Sequence, residues 1–426
     1  MEGLIMTSRE RVVAALNHQT PDRVPIDLGA CGQTGMQVSA VYKLRQALKL
    51  DPPGTPVKVT CVFQMLGEIK PDLLAAVGGD VVGVGLPYTM FGAKVEDWKE
   101  WTTFDGTPVL IPTSFNTKPS ANGDLLQYPQ GDETVPPCAK MPKGGFYCDS
   151  IVRQDPIDED KLDPMDNCEE FRLLGDDDLS ILKTNCDKAY DETDKAIMLG
   201  LPGMAFGDIA LVPGPMLKHP RGIRDMEEWY MSTVSRRDYI AKVFAYQSEI
   251  ALKNLARIYD AVGNKPNVVW VSGSDFGAQT RSIVSPRAFR SLYVPYMKKL
   301  NDWIHANTTW KTFIHSCGSI MNLIPDMIDA GWDVLNPVQT SAANMDPQTL
   351  KDRFGDKVTF WGGGVDTQHT LPFVQPDDIR AEVRRNLEIF SRGGGYVFNT
   401  IHNVQQGVPV ENLLAMYETA QAFKGE

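Results

Sequence analysis

No run of about 18 consecutive apolar residues occurs in this 426-residue chain, which excludes a membrane-spanning helix on length alone. Histidine is scarce, with six in all, and the seven cysteines, at 31, 61, 138, 148, 168, 186 and 317, follow no regular spacing. An odd, scattered set fits reduced thiols better than a disulfide framework. Positive charge is short as well. Forty-two Lys and Arg against 54 Asp and Glu leave a formal charge of −12, which argues against a nucleic-acid partner and leaves small molecules or a protein as ligands. The opening MEGLIMTSRERVVAALNHQ has no apolar signal core. Its apolar residues recur at helical spacing among charges, which predicts an amphipathic first helix in a cytoplasmic protein. Met6, just ahead of the Ser/Thr cap signature of TSRER, is a candidate start. The length accommodates one large α/β domain with insertions or two ordinary ones.

The second half of the chain alternates short β-branched or aromatic runs with amphipathic helical stretches. Strands are predicted at 268–271, 312–315, 333–337, 358–363 and 396–399. Each precedes a helix, beginning near Ser285-Pro286, near Ile320, at Pro347, at Pro376 and at Val410. Val24–Leu28, Asp80–Gly85 and Ala196–Gly200 add three earlier strands, with helices at Met36–Leu48, Leu179–Asp194 and Ile240–Tyr259. Eight strands in strand–helix units predict a single (β/α)8 TIM barrel rather than an open sheet, and no GxGxxG or phosphate loop follows the first strand. Residues 92–153, rich in Pro, Gly, Asn and Asp, break the pattern and read as a β-hairpin insertion over or beside the barrel, serving as a lid or partner surface. The acidic run at 176–178 reads as a solvated helix start.

In such a barrel the loops after the strands build the active site. Those loops carry Ser272, Asp275 and Gln279 after the fourth strand, His315 and Cys317 after the fifth, and Asn336 and Gln339 after the sixth. Asp366 follows the seventh, and Asn399, His402 and Asn403 the eighth. His315-Ser316-Cys317 is the sharpest feature. In extended chain, residues i and i+2 project to one side, so an imidazole and a thiol face a common point before Gly318 turns the backbone away. An N/S pair is a zinc chelate, and His402 can supply the third ligand of a catalytic site with an open position. Plainer readings stand beside this one. Cys317 can be a small buried hydrophobe, His315 a core histidine, Asp275 a helix cap and Asp366 turn chemistry. His18, His219 and His305 have no converging partners and are given no role.

Four segments, TSRERVVAALNHQTPDRVPIDLG, SDFGAQTRSIVSPRAFRSLYVPYMKKL, TFIHSCGSIMNLIPDMIDAGWDVLNPVQ and GGGYVFNTIHNVQQGVPVENLLAMYE, resemble the uroporphyrinogen decarboxylase-like superfamily across nearly the whole chain apart from the insertion. The resemblance implies a (β/α)8 barrel. It offers two chemistries. Metal-free decarboxylases of the family carry an arginine segment of the RQAGR type near the N-terminus. Here the stretch is DLGACGQTGMQ, without arginine, which counts against a substrate with many carboxylates.

The other branch comprises zinc-dependent corrinoid methyltransferases, to which His315 and Cys317 are similar as an HxC pair. The coenzyme M enzymes of that branch take a further cysteine near the end of the eighth strand, where this chain has His402. Exchanging one thiolate for neutral imidazole leaves a more electrophilic zinc, better suited to polarising an ether oxygen. The resemblance then implies a methyl-ether demethylase acting on a small methoxylated aromatic. Its zinc ligands are His315, Cys317 and His402, with Asp275 and Gln279 orienting substrate or supplying a proton to the departing phenolate. Asn399 adds a further substrate contact, and Met204, Phe206 and Trp361 are expected to supply apolar walls. No DxHxxG segment occurs, so the corrinoid (cobalamin) is expected on a separate protein docking over the mouth. The alternatives are a methyltransferase acting on coenzyme M or another thiol, a metal-free decarboxylase, and a non-catalytic barrel. Homodimerisation stays open.

Overall fold

In the computed structural model, which describes residues 5–424, the centre of the molecule is a parallel sheet of seven strands. These are β1 (Val81–Val84), β2 (Ala196–Gly200), β3 (Val268–Ser272), β4 (Lys311–His315), β5 (Val334–Asn336), β6 (Thr359–Trp361) and β7 (Tyr396–Val397), and each pairs in parallel with the next. The two edges of the sheet are joined. Ile26 forms a parallel bridge to Phe398, while its carbonyl accepts from the Asp80 N–H just ahead of β1. The sheet is therefore curled; seven of the eight expected strands are present, and Val24–Leu28, expected as the first strand, makes only the single bridge at Ile26 between the edges. The first four residues of the opening stretch lie outside the described residues.

Two apolar layers follow from this curl. Val81, Ala196, Met198, Val268, Phe313, Val334, Trp361 and Val397, one face of each strand, fill the interior. Helix Ser8–Leu16 closes the bottom of that interior with Val12, Ala15 and Leu16. Its start is fixed by a capping box, the Thr7 side chain accepting from the Glu10 N–H and the Glu10 carboxylate accepting from Thr7. The opposite strand faces pack on the surrounding helices in a second, larger layer. Strands buried on both faces explain why β2, β4 and β6 read as continuous apolar runs rather than alternations. The helix Pro376–Phe390 shows the sequence logic of the outer layer. Pro376 starts it, Asp377 and Asp378 sit in its first turn, and Ile379, Val383, Leu387 and Phe390 form its buried stripe.

A buried carboxylate ties the bottom together. Asp80 accepts from Arg11 at 2.7 Å, from Arg23 at 2.7 Å and from the Ile26 N–H at 2.9 Å. The first helix and the edge-joining segment are thus held by one side chain, with its charge matched by guanidinium groups as burial requires.

Residues 92–153 hold five short strands, and the accessory sheet extends further back. The hairpin Trp98–Thr102 and Pro108–Pro112 is joined by Val57–Cys61 and Leu66–Gly67, two strands that the sequence reading left unassigned. Leu125–Gln127, Ala139–Met141 and Asp149–Ser150 form a second small antiparallel sheet. The helix expected near Ile320 begins later and is short, Ile324–Asp329, with residues 321–323 forming a turn ahead of it. The acidic run starts the helix Asp176–Glu192 as expected. Asp178 differs from a solvated residue: it is buried and accepts from the Tyr88 hydroxyl. Among the described residues, no helix is long and apolar enough to cross a membrane.

Candidate metal centre

Two strand ends bring His315, Cys317 and His402 together, with their ligand atoms all within 4.8 Å of one another. His315 ends β4 and Cys317 lies two residues on, so both side chains point the same way. Cys317 Sγ is 3.2 Å from His315 Nε2. Ser316 between them faces away, its hydroxyl accepting from the Phe276 N–H. His402 follows β7. The strand order places it three strands from β4, across the mouth rather than beside it, and its ring centroid is 5.3 Å from that of His315.

The tautomer of His315 follows from its neighbours. Asn336 donates from Nδ2 to the Trp361 carbonyl, which can only accept, so its Oδ1 faces His315 Nδ1. Nδ1 must therefore carry the proton, leaving the Nε2 lone pair directed at Cys317 and His402. This is the outer-shell arrangement that prepares an imidazole for a metal. Burial pushes His315 down to about 4, and burial together with His315 does the same for His402, so both rings are neutral at ordinary pH. Burial first, and Asp275 second, hold the Cys317 thiol well above its usual range. Without a cation this group stays protonated, whereas a metal favours the thiolate. Two neutral imidazoles and a sulfur with no pairing cation fit a zinc ion better than they fit a hydrogen-bonded core.

The loop that presents Cys317 is clamped. Asp275 accepts from the Cys317 N–H at 2.7 Å and lies 3.8 Å from His315 Nε2. Gly318, at φ +85°, has no room for a side chain: a Cβ there would sit 2.4 Å from the Gly277 carbonyl carbon. Gln339 accepts from the Gly318 N–H and donates to Gln279, whose own amide donates to the Ser341 carbonyl. Gln279 is exposed and spends its carboxamide on joining loops; it does not line the cavity over the metal ligands.

That cavity has a volume of about 670 Å³ and is bounded by Asp275, His315 and His402. Of the other side chains expected around substrate, Asn399 is buried beneath the mouth and donates to the Asp27 and Thr34 carbonyls. Met204 and Phe206 are buried as well, with Phe206 packed on Phe244 and Tyr296, and the cavity wall there is made by Gly203, Ala205 and Gly207. Trp361 fills the barrel interior, donating to Asp27 and packing on Phe313. Asp366 accepts from its own turn at Gln368, which is turn chemistry.

Asp208 was missed by the sequence reading. It lies in the long loop after β2, is 7% exposed, and lines the same cavity. Burial raises its carboxyl to about 7, against the Ala210 N–H bond and with Asp275 adding to the rise. Its one sequence signal is position after a strand, in FGDIALVPG, and no neighbouring motif marks it. The insertion fastens this loop: Arg153 donates to the Gly214 and Leu217 carbonyls, Lys218 pairs with Asp132 at 2.7 Å, and Gln130 donates to the Met216 carbonyl.

Comparisons with known proteins agree with this architecture. Uroporphyrinogen decarboxylases from Methylococcus capsulatus (35% identical over 97 residues, 23% of this chain and 26% of that protein) and Pseudoalteromonas atlantica (22% over 217 residues, 46% and 57%) are similar in sequence. The matches thus span well under two thirds of those relatives. A methyltransferase from Methanosarcina mazei is similar in structure over 98% of both chains, with a TM-score of 0.52 at 15% identity, a likeness of fold alone. The family model described as uroporphyrinogen decarboxylase (URO-D) matches residues 221–423, which include β3 to β7 and all three candidate ligands, and through this segment the chain is URO-D-like.

Proposed function

We propose that this protein is a zinc-dependent methyltransferase that demethylates a methoxylated aromatic, passing the methyl group to the cobalt(I) of a corrinoid carried on a separate protein. The observation that carries the reading is the His315–Cys317–His402 triad, with its prepared Nε2 lone pair, opening into a cavity of substrate size. Zinc held there would act as a Lewis acid towards the ether or adjacent phenolic oxygen. A single thiolate leaves it more electrophilic than a two-thiolate site would.

The chain's own residues supply the rest. Asp275, whose carboxyl is raised by burial, faces the cavity beside the ligands and is placed to orient the substrate or to hold the proton that the departing phenolate takes. Its Cys317 bond keeps that carboxyl in register with the metal ligands. The loop after β2 and the insertion behind it roof the cavity and limit water. A tetrapyrrole with many carboxylates would need several cations, and the cavity wall offers Arg172 alone among the described residues.

The test mixes zinc-loaded protein, 2-methoxyphenol and cobalt(I) cobalamin and follows the cobalt spectrum and catechol release. Formation of methylcobalamin with stoichiometric catechol, lost in His402→Ala, supports the reading. Methyl transfer to a thiol acceptor with no demethylation of ethers would replace it with a thiol methyltransferase.

A further inference from the structure

Charge in the cavity is distributed one-sidedly. Its lining includes the carboxyls of Glu169, Glu170, Asp208 and Asp275. Glu170 is neutralised by Arg224 at 3.0 Å and Glu169 by Arg221 at 3.1 Å. Asp208 and Asp275 have no cation. Among the described residues, the Asp208 carboxylate receives only the Ala210 N–H, on Oδ1, which leaves Oδ2 without a donor in the wall of the cavity. The single cation of the lining, Arg172, has a side chain 65% exposed at the rim and already faces Asp178 at 3.5 Å.

We infer that Asp208 is a specificity-determining residue that excludes carboxylate-bearing substrates, so that the aromatic taken here is an uncharged methoxyarene. This rests on the methoxyarene reading above and narrows its substrate class. The physical reason is plain. With the zinc's open position taken by the ether oxygen, a substrate carboxylate against the Asp208 wall would enter a low-dielectric space beside an uncompensated carboxylate and no free guanidinium, losing its hydration without gaining a partner. A hydroxyl or methoxyl group of the same size can instead donate to or pack against Oδ2.

Binding of two ligands of near-equal shape tests this without turnover. They are 4-hydroxy-3-methoxybenzyl alcohol and 4-hydroxy-3-methoxybenzoate, titrated calorimetrically at about pH 8.5, where Asp208 is ionised, into the zinc-loaded full chain and into Asp208→Asn. The alcohol is expected to bind at least about tenfold more tightly than the acid to the wild type, and Asp208→Asn is expected to narrow that gap by strengthening the acid. Equal or tighter binding of the acid to the wild type overturns the inference, and that measurement needs no variant to fold. A gap unchanged in a folded Asp208→Asn overturns the role of Asp208. Selective binding of the alcohol without methyl transfer supports the inference while removing the demethylase function. Preference for the acid with transfer does the reverse, and failure of both ligands to bind overturns both.

Discussion

Single side chains decide whether this barrel mouth is a metal site or ordinary packing. Asn336 is the clearest case, since its doubly bonded carboxamide fixes which nitrogen of His315 is free. Asn336→Ala is expected to keep the fold and weaken zinc about 10–100-fold, as read by competition with a chromophoric chelator. Unchanged affinity would mean that the tautomer is set elsewhere. Asp208 gives a second, independent expectation. Its folded value of about 7 lies above 3.8, so its contribution to stability is full below about pH 4 and is lost as pH rises through 7. Asp208→Asn should therefore match the wild type near pH 4 and exceed it above pH 8, by up to about 4 kcal/mol, in denaturant unfolding of the zinc-free protein. A gain at low pH as well would point to a packing effect. At this scale the sequence was legible where spacing carried the information. HxC announces its geometry through strand alternation, and His402 through its place after the last strand. Asp208 stayed hidden because a lone acid in a long loop looks like solvated turn chemistry until folding buries it.

Elements position these residues through backbone contacts that leave no space for side chains. The loops after β3 and β4 touch at Gly277 and Gly318, where a methyl group on either would strike the other's main chain. Gly318→Ala also asks alanine to hold a left-handed conformation. It should destabilise the protein by about 1–3 kcal/mol and lower zinc affinity by displacing Cys317, whereas Gly54→Ala, at φ +84° but with nothing within 4 Å, carries the backbone cost alone and leaves zinc affinity unchanged. Unfolding curves and zinc titration on both variants check this. Helix positions were readable because caps, prolines and apolar stripes agree locally, as in Pro376–Phe390 and Val410–Ala422. The accessory sheet was only partly readable. Val57–Cys61 pairs with Pro108–Pro112 some fifty residues on, and such non-local pairing leaves no turn signal between its strands. Gln279, Asn399, Met204 and Phe206 were placed near the mouth by strand position. The folded chain spends them on loop clamping and on packing, which periodicity does not distinguish from substrate contact.

The molecule as a whole is a curled parallel sheet, plugged from below by its first helix and roofed by a loop that a β-rich insertion holds in place. That arrangement was largely visible as alternating strand and helix patterns, because strands buried on both faces and helices with one apolar stripe are strong local signals. Joining of the edges was expected from the count of eight strands, but the residues that accomplish it, one bridge at Ile26 and the buried Asp80 network, carried no sequence signal. Everything proposed for the mouth rests on one cation bound by three side chains from two loops on opposite sides. Elemental analysis for zinc on the wild type and on His315→Ala, Cys317→Ala and His402→Ala therefore tests the account most directly. About one zinc per chain in the wild type, lost from each folded variant, is the result predicted. A wild type purified without chelator that carries no zinc and takes up none, or a His402→Ala variant that retains it fully, would contradict the account.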